Sequence, residues 1–186
     1  MILTFFSYVL EYLNLKPQLP HAVFIDESGF SLSMRRSFGR SPLGSRANKV
    51  VKSIRSKNVT LIAAIGCNKV WSFKIQEGSV NKNIFAEYLD QLFDNFDQNG
   101  VPNTLLIMDN VKFHKTDIVA DKINSSRHKV LFLPPYSPFL NPIEELFNQI
   151  KCVVKEKAPQ NKDELYAAIM NSPNEISSQQ CSDYFN

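Results

Sequence analysis

Three acidic residues stand where a folded chain can bring carboxylates together. Asp109 closes the apolar run Leu105-Leu106-Ile107-Met108, Asp26 closes Ala22-Val23-Phe24-Ile25, and Glu144 follows LPPYSPFLNPI at the start of a segment with helical apolar spacing. A buried strand that stops on an acid holds charge at the mouth of an open sheet, where ligands bind. Cleavage of a phosphodiester by paired magnesium ions needs hard, anionic, convergent oxygen ligands that hold the ions about 3.5 to 4 Å apart across the scissile phosphate. Two aspartates at the ends of adjacent strands, with a glutamate from a following helix, suit that task. Taken singly, each aspartate is more commonly a turn or N-cap residue after a strand, so the set carries the argument.

Helix phase separates Glu144 from its neighbour. At about 100° per residue, Ile143, Leu146, Phe147, Ile150 and Val154 fall along one stripe. Glu144 lies about 100° from that stripe and Glu145 about 160° from it, so Glu144 reaches the sheet edge and Glu145 faces water. Lys151 and Lys155 share the Glu144 side and either flank a bound phosphate or form a solvated face. Alternation along a strand through Asp26 turns Glu27 to the opposite face. His114 either orients the site or touches a phosphate, the alternative being local hydrogen bonds at a helix start.

Elements that position these residues are legible from period and punctuation. Strands are expected at 22–26, 59–65, 70–75, 104–109 and 129–133, with helices at 82–97, 116–125 and 163–170. Phe85, Tyr88, Leu89, Leu92 and Phe96 repeat at helical spacing and read as core. The glycine-containing segment 27–46 reads as a hairpin with loops. Asn141-Pro142 reads as an N-cap followed by proline at the first helical position, opening a helix that runs to Lys157. The amino-terminal stretch lacks a basic flank, carries Glu11 and is too short to span a bilayer. Its Ile2, Phe6, Val9, Leu10 and Leu13 share one face, which predicts a packed amphipathic helix. The whole reads as an α/β chain with a mixed sheet flanked by helices, divided into an amino-terminal helix and linker (1–19), a main domain (20–157) and a helical tail with a polar end (158–186).

Composition sets the class of partner. With 186 residues, 44% hydrophobic and 21% charged, the chain has the profile of one globular domain. Cys67, Cys152 and Cys181 give neither a disulfide framework nor a zinc spacing, which points to a reducing compartment. The net charge of +3 conceals segregation. No acid occurs between Ser28 and Gln76, while Arg35, Arg36, Arg40, Arg46, Lys49, Lys52, Arg55, Lys57, Lys69 and Lys74 all fall there. Those are ten of the 21 basic residues, leaving 11 bases against 18 acids elsewhere. A basic segment of this kind suits a polyanion. Arg35, Arg36, Arg40, Arg46, Lys49, Lys52, His114, Lys151 and Lys155 are the candidate DNA contacts.

Together these segments resemble the catalytic domain of Tc/mariner superfamily transposases and their bacterial insertion-sequence relatives, within the DDE endonucleases. The resemblance lies in VFIDESGF, FGRSPLGSRA, GSVNKNIFAEYLDQLF, LIMDNVKFHK and LPPYSPFLNPIEELFNQIK, and in the 34 residues between Asp109 and Glu144. It implies an RNase H-like fold with a mixed five-stranded sheet. It further implies two magnesium or manganese ions held by Asp26, Asp109 and Glu144, with Asp26 bridging them, for strand nicking and then strand transfer. The implied partner is DNA, engaged as a homodimer or larger assembly and without a membrane. Phe139 departs from the family, which usually carries an acid there. Only some 20 residues precede the first strand, so the family's helix-turn-helix modules are expected to be missing. A catalytically silent nucleic-acid-binding or dimerising remnant, and a nuclease of the same fold acting on RNA–DNA hybrids, are the competing readings.

Overall fold

Alternate strand residues join two separate core clusters, which places the sheet between two layers. The computed structural model describes residues 2–19, 21–34, 39–48 and 58–185. Helix α1 (Ile2–Leu15) precedes the strands β1 (His21–Phe30), β2 (Val59–Gly66) and β3 (Lys69–Glu77). Helix α2 (Lys82–Gln98), β4 (Thr104–Met108), α3 (Asp117–Asn124) and β5 (Lys129–Phe132) follow, then α4 (Ile143–Lys157), α5 (Lys162–Asn171) and α6 (Ser178–Asp183). The sheet order is β3-β2-β1-β4-β5. Pairing is antiparallel between β1 and β2 and between β2 and β3, and parallel between β1 and β4 and between β4 and β5. Parallel neighbours require crossovers, which α2 and α3 supply. This is the RNase H-like arrangement that the resemblance implied.

Both faces of the sheet are covered. Phe24 and Phe30 of β1, Leu61 of β2 and Ile107 of β4 share one core cluster with Ile143, Leu146, Phe147, Ile150 and Val154 of α4. Val23, Ile25, Ile62 and Leu106, the alternate residues, pack with Phe85, Leu89, Leu92 and Phe96 of α2 on the other face. The helical stripes expected for α2 and α4 are therefore the buried ones. The Asn81 side chain caps α2, accepting from the N–H groups of Asn83 at 3.0 Å and Ile84 at 3.1 Å. Among the described residues, no helix is long and apolar enough to cross a membrane.

Three expectations need correction. β1 does not stop at Asp26 but continues to Phe30, because Glu27, Ser28, Gly29 and Phe30 stay in register with Ile62, Leu61, Thr60 and Val59 of β2. The polar end of the chain is also more structured than its composition suggests. There α6 begins with a capping box at Ser177, Cys181 is buried, and Phe185 meets Phe24 edge-on at 5.5 Å.

The third correction concerns α1, which packs through a different face. Phe6, Leu10 and Leu13 are 57%, 68% and 58% exposed, whereas Tyr8, Tyr12 and Leu15 pack against the α4 side of the core. Apolar and aromatic residues surround this helix, so periodicity alone could not choose the buried face. Phe6→Ser and Leu10→Ser are each expected to change stability by no more than about 0.5 kcal/mol. Tyr12→Ala should cost roughly 1 to 2 kcal/mol. Thermal denaturation of the three variants distinguishes the two faces.

Candidate active site

Strand register assembles the acids. Parallel pairing between β1 and β4 ends at Ile25 opposite Met108, so Asp26 and Asp109 are the next residue on each chain. Asp26 stays within β1, paired with Ala63 of β2. It lies on the α4 face with Phe24, while Glu27 lies on the α2 face with Val23 and Ile25. From the α4 side, the first helical turn brings in Glu144, half-buried, and leaves Glu145 exposed. Asp26, Asp109 and Glu144 line one cleft of about 420 Å³, together with Asn110, Asn141 and the segment from Leu133 to Pro138.

Asp26 is the most constrained of the three. It is 9% exposed; its Oδ1 accepts from the Glu27 N–H at 2.7 Å and its Oδ2 from Asn141 Nδ2 at 2.8 Å. Burial pushes this carboxyl up to about 7; the Glu27 N–H bond opposes the rise, and the negative charges of Glu27, Asp109 and Glu144 add to it. Asp109 is more open, its side chain 35% exposed, with Oδ1 placed 2.9 Å from His114 Nδ1.

His114 is 1% exposed and lies beneath the acids. Its Nε2 is 3.0 Å from Glu27 Oε1, and the rings of Phe85 and Phe113 each lie 4.3 Å away, centroid to centroid. With a carboxylate at each ring nitrogen, both nitrogens donate, which requires the imidazolium form. Burial works against that charge, but the hydrogen bonds to Asp109 and Glu27, with their charges, carry the His114 pKa up to about 9. The candidate DNA contact His114 is thus a buried ring with both nitrogens occupied by carboxylates; it braces Asp109 and neutralises Glu27.

The segment that carries these residues matches the sequence pattern of the DDE superfamily endonucleases over residues 21–166. The chain belongs to that family. Among curated proteins no sequence match is found. Solved structures with the same fold include the Mos1 strand transfer complex, with a TM-score of 0.77 and 18% identity over 96% of this chain and 54% of that one. A mariner Mos1 paired-end complex with Mg superposes with a TM-score of 0.63 and 18% identity, over 97% of this chain and 60% of that one. The catalytic domain of Mos1 mariner transposase gives 0.56 and 16%, over 97% and 90%. The DDE chain thus spans little more than half the length of the Mos1 chains in those two complexes.

Other candidate residues of the DDE domain fall outside the cleft. Arg40 and Arg46 are exposed, and Lys151 and Lys155 are half-buried on α4; none of them lines the cleft. Arg35, Arg36, Lys49 and Lys52 lie outside the described residues. Two partners of the acids carry no sequence signal for that role. Glu27 faces away from Asp26, as strand alternation predicts, and that face is where His114 meets it. Asn141 reads as the cap of α4, but the cap position falls to Pro142, without a side-chain cap bond, and the Asn141 side chain turns to Asp26 instead.

The donor set fits a hard divalent cation. Among the described residues no group of three or more His, Cys, Asp or Glu forms a ready-made metal cage. The cleft nonetheless concentrates carboxylate oxygens, the ligands that magnesium and manganese favour. Burial and the neighbouring negative charges raise the Asp26 carboxyl, and among the described residues the buried amide oxygen Asn141 Oδ1 has no partner. A cation would relieve both.

Proposed function

We propose that this chain is a transposase catalytic domain that cuts DNA strands and transfers them by two-metal phosphodiester chemistry. Convergence of Asp26, Asp109 and Glu144 on one cleft at the sheet edge carries the reading. Two magnesium or manganese ions, when bound, would polarise the scissile phosphate and activate the attacking oxygen. Asp26, Asp109 and Glu144 would hold them between their carboxylates. His114 keeps Asp109 oriented by its 2.9 Å contact, and Asn141 does the same for Asp26. Support for DNA as partner comes from the basic segment between Ser28 and Gln76 and from the strand-transfer and paired-end assemblies in which Mos1 has been solved. Those assemblies also favour a homodimer or larger complex on DNA.

The test is nicking of supercoiled plasmid and of short duplexes with Mg2+ or Mn2+. Wild type is expected to produce nicked strands, EDTA to abolish them, and Asp109→Asn to give none. Identical products from wild type and Asp109→Asn would remove the catalytic claim. A second reading, a catalytically silent nucleic-acid-binding remnant, is one that the segregated basic segment alone would serve. That reading predicts no nicking by wild type, with salt-sensitive DNA binding that survives replacement of all three acids.

A further inference from the structure

Asn141 occupies the junction between the cleft and α4, and its side chain does not perform the task its position suggests. The main-chain carbonyl, not the side chain, accepts the Glu144 N–H at 3.1 Å, so α4 starts without a side-chain cap. The residue is 6% exposed, and its amide donates through Nδ2 to Asp26 Oδ2 at 2.8 Å. Among the described residues its Oδ1 is buried with no hydrogen-bond partner. An unpaired buried amide oxygen costs about 1 to 3 kcal/mol. Turning the amide over gives no relief while Asp26 is ionised, because it would set two acceptors against each other. With Nδ2 committed to Asp26, Oδ1 is left facing no protein partner among the described residues. An acceptor fixed beside a carboxylate, in the wall of the same cleft, is suited to a hydrated cation.

We propose that Asn141 is a positioning residue of the cation site: Nδ2 fixes the Asp26 carboxylate, and Oδ1 is the acceptor for the hydration shell of a divalent cation held by the acids. The proposal rests on the cation reading of the cleft. Residue chemistry narrows the choice of side chain: leucine supplies neither group, and aspartate sets a further charge against Asp26. An outer partner of this kind changes metal affinity by about 10- to 100-fold when removed.

Mn2+ binding to the DNA-free protein, followed by titration calorimetry and by electron paramagnetic resonance of free Mn2+, tests it without any turnover. Thermal melting in EDTA reports the metal-free fold alongside. Asn141→Leu is expected to weaken Mn2+ at least about tenfold. Asn141→Ser, whose hydroxyl can both donate and accept, should retain part of the affinity and covers the case in which the leucine variant fails to fold. A folded variant that binds Mn2+ within twofold of wild type overturns the proposal and leaves Asn141 a structural residue. Loss of the metal-free fold in both variants overturns it in the same way. If wild type itself binds no Mn2+, the cation reading of the cleft fails first and the assignment of Asn141 falls with it.

Discussion

Asp26→Asn is expected to stabilise the metal-free protein at pH 8 by roughly 2 kcal/mol and, in the same molecule, to abolish metal-dependent strand cleavage. A folded pKa of about 7 stands above the ordinary 3.8 of this carboxyl, so the native state binds a proton that the unfolded chain has released. The wild-type carboxylate thus costs nothing below pH 3.8, progressively more up to pH 7, and its full amount above that. Three pH units correspond to an upper bound of about 4 kcal/mol. Asparagine removes the charge but can accept only one of the two hydrogen bonds that Asp26 receives from Glu27 and Asn141. If the Asn141 amide turns over, its Oδ1 accepts from the amide introduced at position 26 and most of that loss is recovered, leaving about half the gain. For a chain of this length, 2 kcal/mol raises the melting temperature by roughly 4 to 8 °C. Melting curves in EDTA should show the two proteins converging as pH falls toward 4. A variant no more stable than wild type at pH 8, with a gap that ignores pH, would show that Asp26 is not held as a strained anion. Mn2+ should narrow the gap, because a ligand of the folded wild type stabilises only what binds it.

The same physics explains what could be read from the sequence and what could not. Asp26 and Asp109 were visible because each ends an apolar run, and the α4 stripe separated Glu144 from Glu145 through helix phase alone. Those are one-dimensional signals. The extent of β1 was not one of them: its residues beyond Asp26 remain a strand because β2 lies alongside in register, and partners as distant in sequence as Phe30 and Val59 leave no mark on local periodicity. In α1 apolar residues occur on more than one side, and the docking of Tyr8 and Tyr12 decides the buried face. By their nearest neighbours His114 and Asn141 read as a helix-start histidine and a helix cap. Their partners are 87 and 115 residues away in sequence, at Glu27 and Asp26. Polar side chains that serve a site through long-range hydrogen bonds carry no periodic signature, so pattern reading assigns them the commonest local role.

His114→Ala is expected to destabilise the protein by roughly 3 to 5 kcal/mol at pH 7, the cost of breaking a buried ion pair by removing one partner. The substitution vacates a ring held 4.3 Å from Phe85 and from Phe113. It also leaves the Glu27 carboxylate, whose side chain is only 14% exposed, without its counter-charge. Glu27→Gln separates these contributions. Glutamine can still accept from His114 but carries no charge to strand, so the histidine deletion should cost about 1 to 3 kcal/mol less in that background. Urea unfolding of the two single variants and the double variant measures the difference. The pH dependence runs in a defined direction: a folded pKa raised from 6.5 to about 9 gives stability that is complete below 6.5 and lost as pH rises through 9. The gap between wild type and His114→Ala should therefore shrink across that interval. A gap that stays constant to pH 10 would mean that the ring acts by packing alone. The brace on Asp109 would then be a neutral hydrogen bond, and the cleft would carry one positive charge fewer to balance its acids before any cation arrives.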